Sequence, residues 1–333
     1  MRIAITGAAG FIGSTTAALL LDAGHDVVGI DSLTSYYGTD TKKHNIAGLL
    51  TQPAFSFFTH DIATDLFDEA LNGAEAIIHL AGQPGVRRSW AEFDSYVHAN
   101  IQGTKSVLDA AVRHQIERVV YASSSSVYGN ATVYPTSEDH PTAPQSPYAV
   151  TKLAGEQLCM LYASERELHT VSLRYFTVYG PRQRPDMLTQ RLIQAAHIGS
   201  TITIFGDGEQ VRDFTFVDDV ARANVRALEA DCAAGSKFNI SGGSSVTVNQ
   251  MISEVERATD STIRREAHGE ATGDVHRTTG DNQRAARDLR WTPSVDLSSG
   301  VNAHVDWYRS TRMPVPLRGA RNSRPQPCGL EPS

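Results

Sequence analysis

Tyr148 and Lys152 stand four residues apart in the run Ser146-Pro147-Tyr148-Ala149-Val150-Thr151-Lys152. A helical pattern continues through Leu153, Gln157, Leu158 and Leu161, so the two side chains share one face. Tyrosine ionises near pH ~10, and an adjacent ammonium stabilises its phenolate. A phenolate brought nearer neutrality can take a proton from a sugar hydroxyl while hydride leaves the same carbon. Upstream, Ser123-Ser124-Ser125-Ser126 follows a strand-like run. Such hydroxyls can share the substrate proton or hold the substrate oxygen, and they also suit a polar strand-to-loop turn. Taken alone, the Tyr-x-x-x-Lys spacing is a common surface pair, so its weight rests on its surroundings.

Those surroundings begin at the other end of the chain. Gly7-Ala8-Ala9-Gly10-Phe11-Ile12-Gly13 follows the strand-like Arg2-Ile3-Ala4-Ile5-Thr6 and opens an amphipathic helix through Leu19-Leu20-Leu21 that stops at Gly24. Strand, glycine turn and helix in that order are the context of a dinucleotide site. The glycines allow the tight turn and the close approach of backbone to pyrophosphate, and the helix N-terminus offers unpaired N–H groups to the phosphates. A second apolar run, Asp26-Val27-Val28-Gly29-Ile30, ends in Asp31. A carboxylate there accepts hydrogen bonds from the adenosine ribose and repels a 2′-phosphate, so NAD is expected over NADP.

The elements that must position these groups alternate. Ala54–Thr59, Ala76–Leu80 and Arg118–Ser123 read as strands, with a helical pattern from Phe93 to Val112 between the last two. Repeated alternation of short buried strands with helices predicts an α/β fold: a doubly wound parallel Rossmann sheet with a smaller α/β substrate-binding lobe. Ligands bind such sheets beyond the carboxyl ends of the strands, here at Thr6-Gly7, Asp31, Asp61, Leu80-Ala81-Gly82, Ser123-Ser124 and Arg174-Tyr175. Residues 1–180 form the expected NAD-binding domain, which 214–242 rejoins; 181–213 and 243–312 form the substrate lobe. Residues 313–333, rich in Pro, Arg, Gly and Ser, are expected to be a disordered tail.

Composition narrows the class. With 333 residues, 41% hydrophobic and 20% charged, the chain is an ordinary globular protein able to bury a sizeable core. A net charge of −7 argues against a nucleic-acid partner. Cys159, Cys232 and Cys328 form no Cys-x-x-Cys pair, and the 12 histidines form no His-Glu-x-x-His cluster, so neither a metal site nor a disulfide framework is expected. The first strand leaves no room for a signal peptide, and no apolar run approaches the length of a membrane span; a reducing cytoplasm is the expected location.

The segments Gly7–Gly13, Ser123–Gly129, Ser146–Lys152, Arg174–Pro181 and Gly206–Phe214 resemble, in order and spacing, the extended short-chain dehydrogenase/reductase family, specifically its nucleotide-sugar epimerases. The resemblance runs to about residue 310. It implies bound NAD, a UDP-sugar in the cleft between two lobes, and a catalytic set of Tyr148, Lys152 and Ser124. It implies that Tyr148 is the base and that Lys152 binds the nicotinamide ribose and depresses the tyrosine pKa. The implied cofactor residues are Gly7, Gly10, Phe11, Ile12, Gly13, Asp31, Ser32, Asp61, Ile62, Leu80, Ala81, Gly82, Asn100, Ser123 and Tyr175, with Asp61 and Ile62 flanking adenine. On the substrate side it implies Ser124, Ser125 and Ser126, with Phe205 and Arg212 meeting uracil and diphosphate and Asp274 near the uridine ribose. Ala271 stands where glucose-type 4-epimerases carry a second phosphate-binding arginine, which makes Arg277 a candidate replacement.

Side chains separate the subfamilies. The related 4,6-dehydratases carry an Asp-Glu acid pair where this sequence has Ser125 and Ser126, so elimination of water is unsupported. Thr177 replaces the asparagine usual in glucose-type epimerases, and Arg184 can meet a sugar carboxylate through a bidentate pair, its alternatives being a solvated loop arginine or a helix-capping salt bridge. Arg87 and Arg88 serve either substrate or surface. The expected activity is an isomerase reaction, reversible C4 epimerisation of UDP-glucuronate to UDP-galacturonate through a 4-keto intermediate. UDP-glucose or UDP-N-acetylglucosamine are the alternative substrates, and a noncatalytic NAD-binding regulator is the alternative of another class. The family also implies a homodimer through helices near Ile101–Val112 and Glu156–Glu165, with Val107, Leu108, Leu158 and Leu161 either as contacts or as core positions.

Overall fold

The computed structural model describes residues 1–269, 273 and 275–311. The first half alternates as the pattern requires: β1 (Arg2–Thr6), α1 (Phe11–Asp22), β2 (Asp26–Ile30), α2 (Thr39–Ala47), β3 (Phe55–Phe58), α3 (Asp68–Leu71), β4 (Ala76–His79), α4 (Phe93–Tyr96), α5 (Gly103–Arg113), β5 (Arg118–Ser124), α6 (Pro147–Glu165) and β6 (His169–Tyr175). The second half contains β7 (Thr177–Tyr179), α7 (Leu188–Ile198), β8 (Ile202–Phe205), β9 (Val211–Phe216), α8 (Val217–Glu229), β10 (Ser236–Ile240), β11 (Ser245–Thr247), α9 (Val248–Thr259), β12 (Arg265–His268), α10 (Gln283–Asp288) and α11 (Leu297–Thr311).

Seven parallel strands in the order β10-β6-β5-β4-β1-β2-β3 form the central sheet. Strands this buried carry apolar residues on both faces, because successive side chains point to opposite sides. Ile3, Ile5, Ile78 and Val120 face α1 and α8, whereas Ala4, Ile77 and Val119 face α5. Chain order reverses between β1 and β4, which opens a crevice at the carboxyl ends of the strands. Of the segments expected to rejoin this sheet, Ser236–Ile240 does so as β10, and α8 packs on α1. Phe214–Phe216 instead belongs to β9, in a separate three-stranded sheet β11-β9-β7. A third hydrophobic cluster, with Leu192, Ile204, Phe214, Met251 and Val301, gathers α7, β8, β9, α9 and α11.

Two departures from the sequence pattern bear on the site. The helix expected from Phe93 to Val112 is broken by a π-helical stretch at Val97–Gln102, a widened turn that holds the buried Asn100. Tertiary bonds stabilise it: Asn100 accepts from the Gln83 amide at 2.7 Å and donates to Thr151 at 2.9 Å. Val107 and Leu108, left open between dimer contact and core, are fully buried within the chain's own core. The exposed apolar residues of α5 and α6 are Val112, Met160 and Leu161, together with Val150.

Candidate active site

The Gly-rich turn after β1 has the tightness its composition suggests. Gly7 has φ +73°, and a Cβ there would come within 2.7 Å of the Ala81 amide nitrogen; one on Gly13 would come within 2.1 Å of the Gly7 carbonyl oxygen. Only glycine permits both approaches. The turn delivers the N-terminus of α1, which has no side-chain cap, to the mouth of a cleft of about 700 Å³. That is a cradle suited to the phosphates of a dinucleotide.

The cleft brings together Gly7, Gly10, Phe11, Ile12, Gly13, Asp31, Ser32, Asp61, Ile62, Leu80, Ala81, Gly82, Ser123, Tyr148, Lys152, Tyr175 and Arg184, all singled out in the sequence. Asn100 lies behind its wall, tied to Gln83 and Thr151. Ser124, Ser125, Ser126, Thr177, Phe205, Arg212 and Arg87 are not among the lining residues. Arg87 stacks its guanidinium 3.8 Å from the centre of the Phe205 ring, and Arg212 donates to the Val211 carbonyl. Arg277 lies over Tyr134, at 4.7 Å, and its Nε donates to Thr279. Asp274 and Ala271 fall outside the described residues.

α6 starts sharply because Ser146 accepts from the Ala149 amide at 3.2 Å and Pro147 occupies the first helical position. Tyr148 therefore sits in the first turn, against the carboxyl end of β5. Burial raises its phenol above the ordinary value, while a hydrogen bond with Ser124 and the charge of Arg184 pull the other way. The expected depression by Lys152 is not what the structure has. Lys152 Nζ donates to the Ala122 carbonyl at 2.8 Å, and burial pulls its ammonium down to about 8. A low-dielectric wall disfavours both charged forms.

Beneath these groups lies a buried ion pair that the sequence reading missed. Glu156 on α6 and Arg174 on β6 are almost inaccessible to solvent, and Arg174 Nε donates to Glu156 at 2.9 Å while its Nη2 donates to the second carboxylate oxygen. Ser123, at the cleft, donates to the same carboxylate at 2.8 Å. Arg174 Nη1 donates to Tyr128 at 2.8 Å, and Tyr128 in turn donates to Asn239 on β10 at 2.7 Å. Nothing in the local sequence marks this network, because its members are brought together only by the sheet.

Two more charges line the cleft in pairs. Arg184 donates from Nε and Nη2 to the two oxygens of Asp186, each at 3.0 Å, and its guanidinium lies 6.0 Å from the centre of the Tyr36 ring. Arg184 therefore lines the cleft and is also held in a salt bridge within its own loop, its side chain largely buried rather than solvated. Asp31 is paired with Lys42 at 3.0 Å, so the two are jointly neutral and bulk repulsion of a 2′-phosphate is not available. Lys42, Thr34, Tyr36, Tyr37, Gln83 and His98 are lining residues without a sequence signal; α2, which carries Lys42, has no apolar stripe.

Fold and site together define a class. Residues 3–241 match the NAD dependent epimerase/dehydratase family, and the chain belongs to that family. Among solved structures it is similar to UDP-glucuronic acid 4-epimerase from Bacillus cereus in complex with UDP-glucuronic acid and NAD, with TM-score 0.90 and 38% identity over 93% of this chain and 100% of that one. It is also 35% identical to UDP-glucuronate 4-epimerase of Thermodesulfobacterium geofontis over 92% of this chain and 95% of the relative. A Bacillus subtilis protein named as an uncharacterized UDP-glucose epimerase is 38% identical over 93% of this chain and 98% of its own length.

The buried pair makes a quantitative prediction. Glu156→Leu leaves the Arg174 charge stranded and should cost about 3–5 kcal/mol of stability, most of it recovered when Arg174→Met is added. Urea unfolding measures both. A single variant within about 1 kcal/mol of the parent would contradict the assignment of Glu156 as Arg174's essential counter-ion.

Proposed function

We propose that this protein is an NAD-dependent isomerase that reversibly inverts C4 of UDP-glucuronate to give UDP-galacturonate. The observation that carries the reading is Arg184, a cation lining the same cleft as Tyr148 and Lys152. Similarity to the Bacillus cereus enzyme, crystallised with UDP-glucuronic acid and NAD, supports it. In this reading residues 1–180 and 217–242 hold the cofactor, and 181–216 with 243–312 hold the UDP-sugar.

The glycine cradle, the free N-terminus of α1 and Asp31 fit a dinucleotide, with Asp61 and Ile62 at the adenine and Leu80-Ala81-Gly82 and Tyr175 farther along the cleft. NAD bound there supplies reversible hydride exchange at C4. The chain's own residues handle the proton and the sugar. Tyr148 accepts the C4 hydroxyl proton and later returns it, and Ser124, whose hydroxyl favours the Tyr148 phenolate, steadies that oxygen. Lys152, fixed by the Ala122 carbonyl, presents its ammonium at the nicotinamide end. Phe205, Arg212 and Arg87 serve the nucleotide, and Ser125, Ser126 and Thr177 the sugar.

A 4-keto uronic acid is a β-keto acid prone to lose carbon dioxide, so its carboxylate must be restrained. Asp186 occupies the Nε and Nη2 edge of Arg184 and leaves Nη1 for the substrate. Arg184 and Thr177 are the proposed selectors of the carboxylate. The arginine's charge also acts on Tyr148, so sugar recognition and base strength are coupled.

For assembly we propose a homodimer formed through α5 and α6, supported by the exposed Val112, Met160 and Leu161. Sedimentation at micromolar concentration should give a dimer that Leu161→Glu weakens; a monomeric parent would remove the proposal. A cytoplasmic location is supported by Cys159 and Cys232 as free thiols, and cell fractionation checks it.

The ionisation states predict the pH dependence. The working form has Tyr148 deprotonated and Lys152 protonated. Below Lys152's pKa of about 8, kcat/KM should climb about tenfold per pH unit as phenolate forms, then level above it, where each gain in phenolate is matched by loss of ammonium. Tyr148→Phe keeps the ring but should lower turnover by about a hundredfold or more. Turnover at the parent rate would dismiss Tyr148 as the base.

Selectivity tests the substrate. A charge-assisted pair is worth about 1.5–3 kcal/mol, so Arg184→Ala should cut the preference for UDP-glucuronate over UDP-glucose about ten- to a hundredfold. An NMR time course with both sugars reads it. Equal losses on both, or a parent enzyme preferring UDP-glucose, would favour a neutral-sugar epimerase.

A further inference from the structure

Arg184 is tied to its own loop more firmly than to the cleft. Its salt bridge to Asp186 spans only two residues, so it fixes the guanidinium within the loop but not against the base across the cleft. The contact that reaches another element is with Tyr36, on the segment between β2 and α2, whose ring centre lies 6.0 Å from the guanidinium. That distance is at the outer limit of cation–π attraction, so the ring serves more as a wall that limits where the arginine can go than as a binding partner.

Tyr36 is itself held in place. Its hydroxyl sits against Gly85, where a Cβ would come within 2.4 Å of it and 3.2 Å of the Tyr96 hydroxyl. Gly85 has φ +103°, so both the backbone and the space of this socket require glycine. On the ring, Arg88 lies 4.8 Å from the centre and is paired with Glu92 at 2.7 Å. Beside the socket, Tyr96 shares its O–H between the Pro84 and Gly85 carbonyls, and its ring stands edge-on to that of Tyr148 with centres 6.2 Å apart. A path of packed side chains, Tyr148 to Tyr96 to Tyr36 to Arg184, therefore runs from the base to the cation.

The inference rests on the UDP-glucuronate reading above. We infer that Tyr36 is a positioning residue for the C6 carboxylate, setting how far Arg184 stands from Tyr148. The C4 hydroxyl and the carboxylate belong to one sugar ring, so base and cation must be met at a fixed separation, and a displacement of either costs rate. Without the ring, Arg184 and Asp186 can move together into the vacated space, because their salt bridge holds them only to each other. A carboxylate left unrestrained can depart from the 4-keto sugar as carbon dioxide. Its electron pair passes to C5 as the enolate of the ketone, C5 then takes a proton from water, and a UDP-linked 4-keto pentose leaves while the hydride stays on the cofactor.

An NMR time course of the holoenzyme with UDP-glucuronate and with UDP-glucose, together with extraction of the bound nucleotide, tests this. Tyr36→Leu should lower the preference for UDP-glucuronate about three- to tenfold, chiefly through KM, while NAD is retained and UDP-linked keto pentose accumulates. On an Arg184→Ala background the same substitution should lower the preference no further, because the cation it positions is gone. Should Tyr36→Leu not fold, Tyr36→Phe, which keeps the ring but loses the hydroxyl seated at Gly85, carries the comparison with a smaller loss in the same direction. An unchanged preference, equal losses on both sugars, loss of bound NAD, or a further fall on the Arg184→Ala background overturns the inference alone. A parent that prefers UDP-glucose overturns the UDP-glucuronate reading and the inference with it.

Discussion

The contact between Glu156 and Arg174 organises the catalytic half of the molecule. Each charge loses several kcal/mol of hydration on burial, and a buried pair survives only when its remaining donors and acceptors are also satisfied. Here they are: Ser123 adds a donor to the carboxylate, and Tyr128 and the Glu138 carbonyl take further N–H groups of the guanidinium. Because the partners come from β5, α6 and β6, and reach β10 through Asn239, satisfying them fixes the register of helix against sheet. Lys152 stands one turn before Glu156, so that register also sets where the Tyr148–Lys152 face meets the end of β5. Packing adds a second constraint, since a Cβ on Gly155 would lie 2.2 Å from the Tyr121 hydroxyl. A bulkier residue would lift the helix from the strand.

Burial then acts on the reactive groups themselves. The same low-dielectric wall raises the Tyr148 phenol and lowers the Lys152 ammonium, so each is pushed towards its neutral form. The charged pair needed for proton abstraction is favoured only as other charges come close, and Arg184 is one of them. In the proposed mechanism, recognition of an anionic sugar and activation of the base are linked through one guanidinium, whose position Asp186 and Tyr36 hold. At the other end of the cleft, Asp31 and Lys42 form a similarly compensated pair. Both charges reach the cleft already partnered, which keeps the cost of burying them low while leaving specific donors free.

Much of this was legible from local pattern. The boundaries of β1 and β2 were, because apolar runs flanked by glycine have few alternatives. So was the glycine turn, whose backbone φ values and close approaches exclude side chains. The shared face of Tyr148 and Lys152 followed from helical spacing. Asp31, Asp61, the Leu80–Gly82 turn and Ser123 were found because they end strands of a sheet whose ligands collect at that edge.

What only the tertiary structure decided concerns partners distant in sequence. Periodicity showed that Val107 and Leu108 are buried, but not that their own core rather than a second chain covers them. A helical pattern ran through Val97–Gln102, yet the bonds of Asn100 to Gln83 and Thr151 stabilise a π turn there. Lys42 sits in a polar helix with no apolar stripe, and its burial beside Asp31 comes from the packing of α2 against the glycine-rich turn. Glu156 and Arg174 read as ordinary charged residues until the sheet aligns α6 with β6. The sequence determined, residue by residue, which backbone conformations and which chemical groups were available. Which charges neutralise one another, and therefore which donors remain for a ligand, depended on contacts between segments that local pattern does not connect.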